Sequence, residues 1–214
     1  MRSVLIIGAG QFGCHVASTM NALRCEIMAV DTDEKSINEI LPYVTDAKIG
    51  DATNPELLRS LGVSDYDVCI VSIGDNFQSS LQITALLKEL GAKQVISRAS
   101  NDVQEKFLLR NGADEVVYPE KQTAKRLAIK LSSDAILDFI ELDSEYSIYE
   151  MALPGEWVGK NLVQLDVRRK YSVNVISLKR DHKVIIPGPD TVMAEGDVLY
   201  VIGDMKDLRK CFRL

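Results

Sequence analysis

Histidine, cysteine and tryptophan are scarce in this chain, and each scarcity excludes a class of chemistry. Two histidines, His15 and His182, and one tryptophan occur among 214 residues. Neither histidine stands in a nucleophilic arrangement with Ser, Cys or Asp, so both read as structural or surface groups. The four cysteines, at 14, 25, 69 and 211, form no C-x-x-C pair and have no histidine pair nearby. That spacing supplies neither a disulfide framework nor a zinc site and leaves small buried hydrophobes. Positive charge is not in excess either, with 25 basic against 31 acidic side chains and a net charge of −6. Nucleic-acid affinity rests largely on Lys and Arg neutralising phosphates, so no nucleic-acid partner is expected, nor direct binding to an anionic membrane. Long apolar runs are missing as well. The opening MRSVLIIGAG holds only Val4 to Ile7 between Ser3 and the first glycine. This is far short of a signal h-region or a membrane span, and the expected location is cytoplasmic without direct membrane insertion.

What is present is enough apolar sequence for a real core, 46% hydrophobic against 26% charged. The first 118 residues alternate short apolar runs with helical patterns, the signature of a parallel sheet covered on both faces. Strands are expected at 3–8, 26–30, 47–49, 67–73, 94–98 and 115–118, the six of a Rossmann sheet. Phe12, Val16, Met20 and Leu23 recur at helical spacing, a second helix carries Leu81, Ala85 and Leu90, and Asn54-Pro55 opens a short third helix. Gln122 to Ile140 lacks both Gly and Pro and is apolar on more than one face, which predicts a long connecting helix that also meets a second subunit. Beyond Glu141 the pattern becomes alternating, with strands expected around 146–149, 173–178, 184–186 and 198–202 and a hairpin turn at Asp181-His182. The expected fold is α/β: a Rossmann doubly wound parallel sheet (1–118), a long crossover and dimerisation helix (119–140), then a small α+β C-terminal domain (141–214).

Gly8-Ala9-Gly10-Gln11-Phe12-Gly13 follows a strand directly and opens a helix, the context that gives a G-x-G-x-x-G motif its weight. In that motif the first glycine makes the turn, the second admits a pyrophosphate to the backbone and the third packs helix on strand, while the helix N-terminus faces the phosphates. An acid is then expected at the end of the second strand to hold ribose hydroxyls, and Asp31 stands there, flanked by Thr32 and Asp33. An Asp rather than an Arg disfavours a 2′-phosphate, and so NADP. Asp51, Ala52 and Thr53 after the third strand, Ile73, Gly74, Asp75 and Asn76 after the fourth, and Arg98 ending the fifth lie at the edge where open α/β sheets bind ligands. No general acid–base constellation emerges and no catalytic residue is named. The chain reads as a nucleotide sensor.

The turn GAGQFG, Asp31, GDAT at 50–53, GDNFQSS at 74–80 and GADEVVYPEK at 112–121 resemble the RCK (regulator of conductance of potassium) domain. The stretch from EYSIYEM to AEGDVLYVIG resembles its C-terminal companion, and the likeness is greatest to soluble subunits of Trk/Ktr-type bacterial potassium uptake systems. The resemblance implies a homodimer, often assembled further into an octameric ring, on the cytoplasmic face of a membrane potassium-translocating partner. It implies gating by ATP and ADP or by NAD and NADH, with Gly8, Gly10 and Gly13 at the phosphates, Asp31 at the ribose, and Asp51 and Thr53 near the adenine. It also makes Glu120 a ligand for a divalent cation, Mg²⁺ or Ca²⁺, between two nucleotide sites, and places cyclic di-AMP in the C-terminal domain near Ile176, Ile186 and Pro187. One departure stands out: many Ktr-like members carry an Arg toward the γ-phosphate where this chain has Gln11. The alternatives are an NAD-dependent oxidoreductase, an NADH/NAD redox sensor, or a nucleotide-binding scaffold with another partner.

Overall fold

The computed structural model describes residues 1–214. The chain divides into two compact units, Met1–Glu120 and Lys121–Leu214. In the first unit strands and helices alternate as β1 (Ser3–Ile7), α1 (Gln11–Ala22), β2 (Glu26–Asp31), α2 (Glu34–Ile40), β3 (Asp46–Ile49), α3 (Pro55–Ser60), β4 (Val68–Val71), α4 (Phe77–Glu89), β5 (Val95–Arg98), α5 (Asp102–Arg110) and β6 (Glu115–Val117). The six strands are parallel and ordered β3-β2-β1-β4-β5-β6, the Rossmann order expected from the sequence. Strand order reverses between β1 and β4, and the crevice at that switch point is where such sheets bind ligands.

Strand β1 shows why the apolar runs are unbroken. Val4 and Ile6 belong to one core cluster and Leu5 and Ile7 to another, so successive side chains enter cores on opposite faces of the sheet. Four helices of this unit begin at a side chain that accepts backbone N–H bonds: Asp33 for α2, Asn54 for α3, Asn76 for α4 and Asn101 for α5. Helix α1 has no such cap and no acid in its first turn; its N-cap is Gly10.

Helix α6 (Pro119–Leu131) carries the chain out of the first unit. It is followed by β7 (Ile136–Glu141), β8 (Tyr146–Ala152), α7 (Leu162–Leu165), α8 (Val167–Tyr171), β9 (Asn174–Arg180), β10 (Lys183–Ile185), β11 (Val198–Asp204) and α9 (Met205–Phe212). The second sheet is antiparallel in the order β10-β9-β11-β8-β7. Asp181 and His182 join β9 to β10 with φ of 48° and 63°, the left-handed pair that a two-residue hairpin turn requires.

The helix expected over 119–140 is shorter than the sequence pattern suggests. It stops at Leu131, and the apolar residues beyond it form β7, the edge partner of β8. The register of β7 shifts between Ile136 and Asp138, so Ile136 and Phe139, three residues apart, are both buried in the same core. A bulge has turned the two-residue period of a strand into a spacing of three, which imitates a helix. Behind it, Arg126 of α6 pairs with Asp138 and holds that carboxyl down to about 2, chiefly by donating to it.

The second unit contains one fully buried charge. Asp197 accepts from Arg180 Nε and Nη2, both at 2.7 Å, and from the Ala194 N–H at 2.8 Å. The Arg180 donors, more than the burial that opposes them, hold its carboxyl below the usual range.

Candidate functional site

A cleft of about 490 Å³ opens at the carboxyl ends of the first unit's strands. Its wall gathers Gly8, Gly10, Gln11 and Phe12 from the glycine turn, Asp31 and Thr32 from the end of β2 and just beyond it, Asp51, Ala52 and Thr53 after β3, Ile73, Gly74, Asp75 and Asn76 after β4, and Arg98 from β5. Ala9, Gly13, Asp33 and Glu120, also expected at the site, are not in the wall. Ile7, Val30, Ser36, Gly50, Ser72, Ser79 and Ile83 line it without having been singled out from the sequence. All but Ile83 lie at the ends of strands or in the first turn of the following helix, so the strand-end rule that found Asp51 and Gly74 could have found them.

The turn is fixed from beneath. Gly8 has φ of +100°, and a Cβ there would lie 2.9 Å from Ser72 Oγ. Ser72, buried after β4, donates to the carbonyl of Ile7 at 3.1 Å and also reaches the Gly8 carbonyl. Gly13 does not face the cleft because it packs on the turn, where a Cβ would lie 2.2 Å from the Gly8 carbonyl oxygen. Gly10 differs from both: no atom lies within 4 Å of where its Cβ would be. Ala9 is buried and works through its backbone, donating to Asp31 Oδ2 at 2.6 Å, while Asp31 Oδ1 accepts from the Asp33 N–H at 2.9 Å. Asp31 therefore ties the end of β2 to the glycine turn.

Several polar residues of the wall also shape their own loops. Asp51 Oδ1 accepts from the Thr53 hydroxyl at 2.7 Å and its N–H at 2.9 Å, and the hydroxyl first, then the N–H, lowers the Asp51 carboxyl from its ordinary value. Asn76 caps α4 by accepting from the Ser79 N–H at 3.0 Å. Asp33, outside the wall, caps α2 in the same way, with the Ser36 hydroxyl at 2.8 Å as the main cause of its lowered carboxyl.

The wall carries three carboxylates, Asp31, Asp51 and Asp75, and one cation, Arg98. An anionic group is repelled by most of this surface but not where Arg98 meets α1. The Arg98 guanidinium lies 5.7 Å from the centroid of the Phe12 ring, in the first turn of α1. There the uncapped N–H groups of the helix and its positive dipole end join the guanidinium. The buried Arg98 Nε has no hydrogen-bond partner. These features fit an anion such as a phosphate.

Glu120 forms an ion pair with Arg98. Its carboxyl is lowered first by a bond with its own backbone N–H and then by Arg98. Nowhere in the chain do three or more His, Cys, Asp or Glu side chains converge to hold a metal ion. A single carboxylate already paired with a guanidinium does not make a divalent-cation site within this chain. In the second unit, Ile176 on β9 is partly exposed, and Ile186, just beyond β10, is 85% exposed.

The family model described as the TrkA-N domain matches residues 4–119, and the one described as the TrkA-C domain matches residues 148–214. The Ktr system potassium uptake protein C of Bacillus subtilis (strain 168) is 38% identical over 206 residues, covering 96% of this chain and 93% of that protein. The chain belongs to the RCK regulatory proteins of Ktr and Trk potassium uptake systems. Other members of this family are similar along the same length: the Ktr system potassium uptake protein A of B. subtilis (strain 168) is 34% identical over 206 residues, covering 96% of this chain and 93% of that protein. The crystal structure of the GsuK RCK domain superposes on the whole chain with a TM-score of 0.70 at 17% identity, and the chain spans 48% of that structure. At that identity the likeness speaks for the RCK fold. No helix of this RCK protein is long and apolar enough to cross a membrane.

Proposed function

We propose that the chain is a cytoplasmic regulatory subunit that binds an adenine nucleotide in the Rossmann cleft and passes the occupancy of that cleft to a membrane potassium-translocating subunit. The observation that carries this reading is the contrast among the helices. Four helices of the unit have one or two of their N-terminal N–H groups capped by the side chain of the preceding residue, whereas α1, beside the glycine turn, has no side-chain cap. A phosphate is the partner such an end favours. Asp31, at the ribose position of the motif, supports an unmodified 2′-hydroxyl, so ATP, ADP, NAD and NADH are the candidate ligands. Gln11, a neutral amide at the first position of α1, gives no charge with which to prefer ATP over ADP.

The subunit would act as a homodimer or a larger ring. Leu127 and Leu131 on α6 are 54% and 73% exposed in the single chain, apolar surface that a second copy would cover. Exposed Ile176 and Ile186 offer a second surface in the C-terminal unit for cyclic di-AMP. The oxidoreductase alternative requires turnover of the dinucleotide, which the proposal does not.

Calorimetric titration with ATP, ADP, NAD, NADH and cyclic di-AMP, with and without Mg²⁺, tests the ligand, and co-purification with the membrane subunit tests the partner. Gly10→Ala is the informative variant. Its Cβ meets nothing in the empty cleft, so the melting temperature is expected to stay within a few degrees of the native value while nucleotide affinity falls by about tenfold or more as the methyl blocks phosphate approach. Failure of the native protein to bind any of these nucleotides would sink the proposal, as would oxidation or reduction of NAD(H) by the purified chain.

A further inference from the structure

Arg98 is placed as a phosphate ligand yet already has an anionic partner. Its side chain is 22% exposed, its Nε is buried without a partner, and a Cβ on Gly74 would lie 2.7 Å from its Nη1. The guanidinium is thus confined between Gly74 and the Phe12 ring. Only Nη2 is engaged by a carboxylate, that of Glu120. The pairing follows from the sheet. Arg98 is in register with Val117 on the adjacent parallel strand, and Glu120 comes three residues later, in the first turn of α6. Glu120 lies outside the cleft wall and its side chain is 56% exposed.

We propose that Glu120 is a built-in competitor for the phosphate site: it neutralises Arg98 while the cleft is empty, and an incoming phosphate displaces it from the guanidinium. The proposal rests on the reading of the cleft as a nucleotide site. A guanidinium fork accepts either a carboxylate or a phosphate, so the two anions contend for one set of donors. Glu120 is the more mobile party, because it is half in water and its bond is screened, whereas Arg98 is confined. Leaving Arg98 unpaired in a three-quarters buried position would be costly, and Glu120 removes that cost in the empty state. A displaced Glu120 does not lose all stabilisation, since the N-terminus of α6 favours a negative charge in its first turn. Ligands are then sorted by phosphate charge: a nucleoside without phosphate leaves the Arg98–Glu120 pair intact, and a nucleotide whose terminal phosphate outcompetes a carboxylate opens it. The exchange shifts a negative charge at the start of the helix that carries the chain into the second unit.

The test is calorimetric titration of the full chain with ADP and with adenosine, in EDTA so that no divalent cation takes part. Glu120→Gln is expected to bind ADP about fivefold more tightly than the native protein, the size of one screened ion pair, with adenosine unchanged. Arg98→Gln is expected to weaken ADP by about tenfold, the value of a hydrogen bond to a charged group. Adding Glu120→Gln to Arg98→Gln should then change nothing. Arg98→Lys, which keeps the charge without the fork, serves as the second variant if Arg98→Gln fails to fold. Unchanged or weaker ADP binding by Glu120→Gln, with native binding intact, overturns the competition and leaves the nucleotide reading standing. An equal gain for adenosine and ADP also overturns it. Absence of ADP and adenosine binding by the native chain overturns both.

Discussion

The Gly13→Ala protein is expected to lose measurable nucleotide binding together with about 2–3 kcal/mol of stability, the cost of forcing a methyl into a packed site. The added Cβ would stand 2.2 Å from the Gly8 carbonyl oxygen. That atom is backbone and is itself bonded by Ser72, so it cannot swing aside as the end of a flexible side chain would. Relief requires α1 to move away from β1, and the uncapped end of α1 moves with it. Thermal unfolding and nucleotide titration on the same preparation measure both losses. A Gly13→Ala protein with native stability and native affinity would show that the turn is not held as described. The comparison with Gly10→Ala separates two uses of glycine in one motif: close packing at 13, which affects the empty protein, and open approach at 10, which affects only the occupied one.

The second large effect concerns the other unit. Asp197→Ala is expected to cost about 3 kcal/mol, toward the lower end for breaking a buried ion pair. Asp197 is fully buried, and its removal strands Arg180 and the Ala194 N–H. The Arg180 side chain is 34% exposed, so water recovers part of its charge, which keeps the loss at the lower end. Trp157, the single tryptophan, is buried in the same core as Leu199 and Val201, and its fluorescence in a urea titration reports this unit selectively. The acid limb follows from the sign of the Asp197 shift. Its folded carboxyl is held below the ordinary value of about 4, so its contribution is fully present above that pH and is lost as the pH falls through the lower folded value. As the pH falls below about 4 the native protein should lose stability more steeply than Asp197→Ala. Parallel acid limbs would contradict the assignment.

Much of the first unit was legible because its strands are buried on both faces. Runs such as Val4 to Ile7 stand out against polar surroundings, and their number and order imply the sheet. Helices α2 and α5 did not stand out. They are 7 and 9 residues long, and each keeps only one or two residues buried, Ile37 and Ile40 in the first and Leu108 in the second. In the second unit β7 reads as helix from the sequence, since the bulge places Ile136 and Phe139 three residues apart on the same face. The position of the cleft was readable from fixed spacings, those of the glycine turn and of Asp31. Ser72 under the turn and the Arg98–Glu120 pair were not. Each depends on which strands neighbour one another and on where a side chain points, and no local pattern encodes either. Even Asp33 and Asn76, named for their location at strand ends, turn out to cap helices, a role that Asp and Asn at such places share with ligand binding.

The carboxylate of Asp31 already accepts one backbone hydrogen from Ala9 and another from Asp33 before any guest arrives. A carboxylate has roughly four lone-pair directions, which leaves about two, the complement of a vicinal diol. On the proposed nucleotide reading, a sugar in this crevice would be recognised by what the loop architecture has not consumed, and a sugar missing one hydroxyl would leave one acceptor direction unused. Replacing Asp31 confounds two effects, because the same atom that would greet the sugar also moors the turn. Trimming the ligand to its 2′-deoxy form isolates the contact without touching the protein.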